Sequence, residues 1–314
     1  MKRKRNPLSV NGIIDLLAVG LAAATVFGFL GRFNWFLDLF SHFRVQYMQL
    51  CLPLIGVALW KRLNARAAAL VLLAAVNYAF VLPLYFGKPA PPTKQPTRAM
   101  LMNINAGNGN TEDVLAAIRT AKPDILLLEE VTPKWAAELA VLNATYPHRV
   151  AEPQKGCFGI MLLSKHPLKD ARIIQIGRAE VPSVVATIRL PNDDLSFIGT
   201  HPPPPMGRLY SERRNEQLAE LPALAANQKD PVLLLGDLNV TPFSYWFKRV
   251  METGLKNSMK GFGFQPSWVG NAFLKIPLDH ALHSKEIVVH NRMVGGDVGS
   301  DHRPVIIDFT IAED

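Results

Sequence analysis

Three apolar stretches fill the first 87 residues and divide the chain before any motif is considered: residues 13–30, 45–60 and 67–86. A bilayer core about 30 Å thick takes about 20 helical residues, so the first and third stretches are long enough to span it and the second is short. Pro53, inside the second, is tolerated in a membrane helix when neighbours satisfy the freed carbonyl. The reading is an N-terminal bundle of about three transmembrane helices, with two spans and an interfacial segment as the alternative. "MKRKRNP" ahead of an apolar run also fits a cleavable signal peptide, but two further apolar stretches favour a retained anchor.

Basic residues orient such a bundle. Lys2, Arg3, Lys4 and Arg5 precede the first stretch, and Lys61, Arg62 and Arg66 lie between the second and third. Both clusters face the cytoplasm only if there are three spans and the N-terminus is inside. The rest of the chain then emerges on the outer side. The expected location is a bacterial inner membrane, multi-pass, with the remainder of the chain on the periplasmic or extracytoplasmic face.

The net charge of +8 belongs to this segment. Of 34 Lys/Arg and 26 Asp/Glu, residues 1–87 hold 9 and 2, leaving 25 and 24 for residues 88–314, a net of +1. A domain so close to neutral argues mildly against tight, nonspecific nucleic-acid binding, which depends on many Lys/Arg–phosphate contacts, and leaves nucleic acid among the candidate substrates. Cys51 and Cys157, the only cysteines, imply neither a disulfide framework nor a zinc site.

"GKPAPPTKQPTR", with four prolines and no periodicity, reads as a stiff extended connector. The boundaries are therefore a membrane anchor over 1–87, a Pro-rich linker over 88–97 and a folded domain over 98–314. In that domain "AMLMNIN" and "DILLLEEV" read as buried strands around a helix, "TEDVLAAIRTA", with Thr111 at its N-cap. "YPHRV", "FGIMLLS", "ARIIQI", "SVVATIRL" and "LSFIGTH" follow as strands with few helices between them. After a helix at "SERRNEQLAELPALAANQ" come "PVLLLGDLN", "IPLDHALHS", "EIVVHNRM" and "PVIIDFTI". So many unseparated strands predict two mixed β-sheets packed face to face with helices outside, rather than one parallel sheet.

Polar groups recur where these strands end. Asn103 and Asn105 close the first, Glu129 and Glu130 the second; His201 follows "LSFIGT", and Asp237 and Asn239 follow "PVLLLG". Asp279 follows "KIPL", and Asp301 with His302 follows "GGDVGS". Singly, Asn105 supports a turn and Asp237 with Asn239 makes an Asx turn. Together they point to one polar cleft along one edge of the strands.

Phosphoester hydrolysis needs this set. A hard divalent cation, Mg²⁺ or Mn²⁺, neutralises the phosphate through oxygen ligands, which Glu130, Asn105 and Asp301 can supply. A carboxylate, Asp237, aligns and deprotonates water, while Asn239, His201 and His302 meet the charge that develops on the phosphoryl group. Asp279 is the candidate partner that orients His302.

"MNINAGNGN", "PDILLLEEV", "FGIMLLSKHPL", "GTHPPPP", "LLLGDLNVTP", "IPLDHALHS" and "GSDHRPV" resemble, in order, the motifs of the endonuclease/exonuclease/phosphatase superfamily. The resemblance spans about residues 98–311, and the N-terminal segment makes the chain most similar to bacterial membrane-anchored members. It implies a four-layer α/β sandwich and a Mg²⁺- or Mn²⁺-dependent phosphoesterase. It also implies metal binding by Asn105, Glu130 and Asp301, and catalytic positions at Asp237, Asn239, His201, His302 and Asp279. The chain departs from the pattern at Gly107, where some nucleases carry an acid, and at Glu129, where the family has Gln. Strand alternation sends Glu129 and Glu130 to opposite faces and favours Glu130 for the metal.

The loops "HPPPPMGRLYSERR" and "KGFGFQPSWVGNAFLK" are candidates for substrate choice; Phe262, Phe264, Trp268 and Phe273, with Lys260 and Lys275, can stack bases or hold a lipid headgroup. The expected partners are a phosphoester substrate (nucleic acid, phospholipid or small phosphate ester) and the lipid bilayer. The alternative function is a non-catalytic, membrane-anchored binding or scaffold protein that keeps the fold.

Overall fold

The computed structural model describes residues 9–312; the basic cluster Lys2–Arg5 lies outside them. The chain forms two compact units, divided between Pro83 and Leu84. The first contains α1 (Val10–Phe29), α2 (Trp35–Leu39), α3 (Arg44–Trp60) and α4 (Asn64–Val81). Two helices are long and apolar enough to cross a membrane, Val10–Phe29 and Asn64–Tyr85. The stretch expected as the second of three spans is the 17-residue α3, with Pro53 inside it, and it does not meet that length. Leu16, Val19, Leu52, Trp60 and Leu72 are exposed around the bundle. Its interior is polar at one point: the buried Arg44 guanidinium donates to the Thr25 carbonyl (3.1 Å) and Asn77 Oδ1 (3.2 Å), and Asn77 Nδ2 donates to Thr25 Oγ1 (3.0 Å). This network joins α1, α3 and α4 where apolar packing alone would leave their register open.

The second unit runs β1 (Thr97–Asn103), α5 (Thr111–Ala121), β2 (Ile125–Glu129), α6 (Pro133–Glu138), β3 (His148–Glu152), β4 (Ile160–Ser164), β5 (Leu168–Gln175), β6 (Pro182–Arg189) and β7 (Asp194–Thr200). It continues with α7 (Arg208–Ala226), β8 (Val232–Asp237), α8 (Tyr245–Val250), β9 (Lys256–Asn257), β10 (Trp268–Val269), β11 (Lys275–Ile276), β12 (Asp279–His283), β13 (Ile287–Val294) and β14 (Val305–Ile311). Two six-stranded sheets result, in orders β13-β14-β1-β2-β4-β3 and β5-β6-β7-β8-β12-β9. Both are mixed: β1 pairs with β2, and β7 with β8, in parallel, and the other pairs in the two sheets are antiparallel.

Strand alternation makes four layers. In β1, Ala99 and Leu101 face the other sheet, where Phe197, Leu233 and Leu235 meet them. Met100 and Met102 face outward, onto α5 and α6 through Val114, Ile118 and Trp135. In β8, Leu234 turns away to Leu218, Leu221 and Phe247 on α7 and α8. Both faces of the central strands are covered, so "ILLLE" and "VLLLGD" are buried throughout and read as unbroken apolar runs. Each fully buried Leu contributes roughly 1.5–3 kcal/mol.

Two local expectations change. Thr111 is the first residue of α5 rather than its cap; Asn110 holds the cap position, its N–H accepted by Asn108 Oδ1 (2.9 Å), while the Thr111 hydroxyl bonds Glu138. And "KGFGF" is a seat for the chain that leads into the domain. The N–H groups of Gly261 and Gly263 both donate to the Leu84 carbonyl, at 2.8 and 2.9 Å. Both glycines have positive φ, and a Cβ on Gly263 would meet the Tyr85 ring at 2.8 Å.

β12 buries His280 completely against the Phe247 ring, with Nε2 donating to the Val240 carbonyl (2.7 Å). Burial, only partly offset by that bond, depresses it from 6.5 to about 4. As pH falls, the unfolded chain takes up this proton near 6.5 and the folded chain only near 4. The stability contributed by neutral His280 is therefore complete above about 6.5, is lost through the window down to 4, and amounts to roughly 3 kcal/mol. Thermal unfolding of the full chain in detergent between about pH 7 and pH 4 should show this loss, and His280→Leu should flatten the profile in that window. A variant with the wild-type pH dependence would show that the loss lies elsewhere.

Candidate active site

The parallel pairs β1–β2 and β7–β8 end on the same side, and β12 begins there, with Asp279 opposite Asp237 across the β8–β12 ladder. Functional groups at these five strand ends thus converge without any long loop to place them. Gly236 is required just before Asp237: a Cβ there would lie 1.9 Å from the Thr200 carbonyl oxygen.

Asp237 is at the centre. Its Oδ1 accepts from the Asn239 N–H (2.9 Å), which fixes the turn "DLN". Its Oδ2 lies 3.5 Å from both His201 Nε2 and His302 Nε2, and accepts from Asn103 Nδ2 (3.3 Å). His302 Nδ1 meets Asp279 Oδ2 at 2.8 Å. Burial disfavours the charged imidazole, but Asp279 and Asp237 outweigh it and raise His302 to about 10, which favours the cation, with Nδ1 bonded to Asp279 and Nε2 facing Asp237. Asp237, Asp279 and His302 each offer a ligand atom within 4.8 Å of the others. His302 lies between the two carboxylates, 2.8 Å from Asp279 Oδ2 and 3.5 Å from Asp237 Oδ2.

Asn239 has φ +51, in the left-handed region that Asn tolerates, and its Nδ2 donates to the Pro202 carbonyl (3.0 Å) and faces His201 Nε2 at 3.3 Å. Phe158 packs on the His201 ring with centroids 5.9 Å apart.

The two adjacent glutamates part company. Glu129 is fully buried and accepts the Asp237 N–H at 3.0 and 3.2 Å; burial, with Asp237 and Asp279 nearby, holds it well above the usual carboxylate range. It stands where the family pattern has Gln, and burial favours its protonated form, which is close in shape to that amide. Glu130, at φ +62, turns toward the cleft and accepts from Asn103 Nδ2 (3.0 Å) and the Ala106 N–H (2.9 Å).

Asn105 also has positive φ, +57, and donates Nδ2 to Asp301 Oδ1 (2.8 Å), while Trp268 Nε1 donates to Asp301 Oδ2 (3.0 Å). Burial alone would raise Asp301; the bond from Asn105, the neighbouring His302 and the bond from Trp268 bring it below the usual carboxylate range. Glu130, Asn103, Asn105 and Asp301 form an oxygen-rich group around one turn. Among the described residues no Lys or Arg pairs with Glu130, whose carboxylate keeps lone pairs for a hard cation.

Asn103 is the residue that sequence reasoning placed without a role. It is buried and its amide links Glu130 to Asp237, one residue from each sheet's end. Its signal was position: it is the last residue of β1, whereas Asn105 lies in the turn beyond. Of the aromatics offered for substrate contact, Phe262 packs on the inter-sheet core, Phe264 stacks on Phe243 at 6.3 Å, and Trp268 bonds Asp301. Phe273 is 82% exposed.

The model of the endonuclease/exonuclease/phosphatase family matches residues 100–302. The chain belongs to that family. Its fold is similar to that of an endonuclease/exonuclease/phosphatase from Beutenbergia cavernae, at 20% identity and TM-score 0.58, covering 70% of this chain and 72% of that one. It is likewise similar to the human Nocturnin catalytic domain with bound sulfate, at 18% identity and TM-score 0.58, covering 69% and 95%. A third is the 3′ phosphatase NExo from Neisseria bound to a product DNA hairpin, at 19% identity and TM-score 0.56, covering 68% and 99%. At these identities the likeness is one of fold. No curated protein sequence matches the chain.

Proposed function

We propose that the chain is a divalent-metal-dependent phosphoesterase that hydrolyses a phosphodiester or phosphomonoester with an activated water. The observation that carries this is the convergence on Asp237 Oδ2 of Asn103, His201 and His302, with Asp279 holding the far side of His302. A carboxylate set among N–H donors is what a reaction needs when one group must take a proton from water beside a growing negative charge.

Asp237 takes that proton. His302, as a cation, and the amide of Asn239 donate to phosphoryl oxygens; His201 stands beside them. Asp279 keeps the His302 ring in place and charged. Glu130, Asn103, Asn105 and Asp301 would hold Mg²⁺ or Mn²⁺, which when bound neutralises the phosphate. With Asn103 as the strand-end amide, the position two residues on is Asn105 rather than Gly107, so the place of the nuclease acid is taken by an amide that reaches Asp301. The sulfate in the Nocturnin domain and the DNA product in NExo support a phosphoester substrate, without choosing among nucleic acid, phospholipid and small phosphate ester.

Hydrolysis of bis(p-nitrophenyl) phosphate should require Mg²⁺ or Mn²⁺ and fall by about 10³-fold or more in chelator. Equal rates with and without chelator would overturn the metal, and an inert protein at saturating metal would favour the scaffold reading. A panel of DNA, RNA, lipid and sugar phosphates then identifies the substrate.

We place the domain at the outer face of a bacterial inner membrane; with the N-terminus and the basic residues around Lys61 inside, this requires the short α3 to cross along with Val10–Phe29 and Asn64–Tyr85. An alkaline phosphatase reporter fused after Phe86 should be active; a reporter active only in the cytoplasm would reverse the topology.

A further inference from the structure

We infer that Arg214 is a positioning residue for the reaction, acting through the backbone of Asn239; this rests on the reading of Asn239 as a phosphoryl-oxygen donor. Arg214 lies on α7 and is fully buried. Its Nη1 donates to the Asn239 carbonyl (2.9 Å), and its Nε and Nη2 fork onto Asn215 Oδ1 (3.0 and 2.8 Å).

The strain it meets is specific. Asn239 must adopt φ +51 for its side chain to leave the Asx turn toward His201 and Pro202. The carbonyl of Asn239 meets α7 rather than a strand, and no strand N–H donates to it. A buried carbonyl without a donor is costly, and the extended backbone would offer an escape. Arg214 closes that escape. Val240, the next residue, has its carbonyl held by His280 (2.7 Å), so the two peptide oxygens after the turn are clamped from opposite sides.

The other left-handed asparagine differs: the Asn105 carbonyl accepts the Asn108 N–H within its own turn (2.9 Å), with the buried Trp135 Nε1 as a second donor (3.3 Å). At Asn239 the side chain of Arg214 supplies the bond that no such backbone N–H provides. For Arg214 the choice of guanidinium follows from the fork: its planar donors reach Asn215 and Asn239 at once, which a lysine ammonium does not.

The test uses the full chain, bis(p-nitrophenyl) phosphate and Mn²⁺, in a double-mutant cycle. Arg214→Met should lower kcat by about 10–100-fold with KM changed less than about twofold, because Asn239 acts on charge that appears only in the transition state. In an Asn239→Ala background the same change should cost less than about twofold more. If Arg214 merely held the fold, the two losses would multiply, and that result overturns the inference, as does wild-type kcat in Arg214→Met. Should Arg214→Met not fold, Asn215→Ala, which frees the guanidinium but keeps its charge, takes its place in the cycle with the same two outcomes. An inert wild type would speak against the phosphoesterase reading alone. Hydrogen exchange then decides the positioning: protection should fall about tenfold or more in the peptide spanning 238–241 and stay unchanged in β2. Uniform loss across the domain, or none at 238–241, overturns it.

Discussion

Asp237→Asn lowers kcat on bis(p-nitrophenyl) phosphate by about 10³-fold or more while leaving the melting temperature within about 2 °C of wild type. The substitution separates chemistry from architecture. The carboxamide oxygen still accepts the Asn239 N–H, now made to Oδ1 at 2.9 Å, and the backbone N–H of residue 237 still reaches Glu129. What disappears is the proposed proton acceptor for water, together with one of the three carboxylates that favour the His302 cation. Asp237→Ala should be equally inactive but less stable, since it also leaves the Asn239 N–H, in a buried turn, without its acceptor. Activity within about tenfold of wild type in Asp237→Asn would place the base elsewhere and end the mechanism proposed above.

The sequence carried most of this site because its residues sit at strand ends, and strands announce their ends. "DILLLEE" shows where β2 stops: Glu129, its last residue, is buried against the Asp237 N–H, while Glu130 lies beyond the strand at φ +62, and it is that left-handed turn rather than alternation that brings it to the cleft. The four layers are implied by the family resemblance; in "AMLM" all four residues are apolar, because Ala99 and Leu101 face one layer and Met100 and Met102 another. What periodicity does not carry is contact between distant segments. Asn103 and Asn105 are equally plausible by spacing, and only the approach of the two sheets brings Asn103 to Asp237. Arg214 ends "HPPPPMGRLYSERR", offered as a loop for substrate choice, yet the second half of that stretch is the start of α7, which turns Arg214 inward to a carbonyl 25 residues away. The aromatic loop misleads for a related reason. "KGFGF" has the composition of a ligand loop, but its glycines are there to let Leu84 and Tyr85 lie close. In the first unit, apolar length alone marks the first and third stretches as long enough and the second as short, and the 17-residue α3 agrees.

Asp279→Asn lowers kcat by about 10²–10⁴-fold, and it also moves the alkaline limb of the pH–rate profile to lower pH. Burial by itself would keep His302 neutral; Asp279 is the first of the groups that reverse this and bring it to about 10. Replacing that carboxylate with an amide removes the attraction and leaves the burial, so the imidazole loses its proton at lower pH than before. A ring that must be a cation to donate from both nitrogens then fails in the alkaline range first. The backbone of residue 279 is held independently of its side chain, by Ser267 Oγ accepting its N–H (3.0 Å) and Arg292 donating to its carbonyl (3.4 Å), so the local fold should survive the change. Because Asp279 acts only through His302, the pair should behave as one unit: Asp279→Asn added to His302→Gln should cost less than about twofold beyond His302→Gln alone. An alkaline limb that stays in place in Asp279→Asn would mean that His302 is not the group that titrates there, and losses that multiply in the double variant would give Asp279 a task of its own on the substrate.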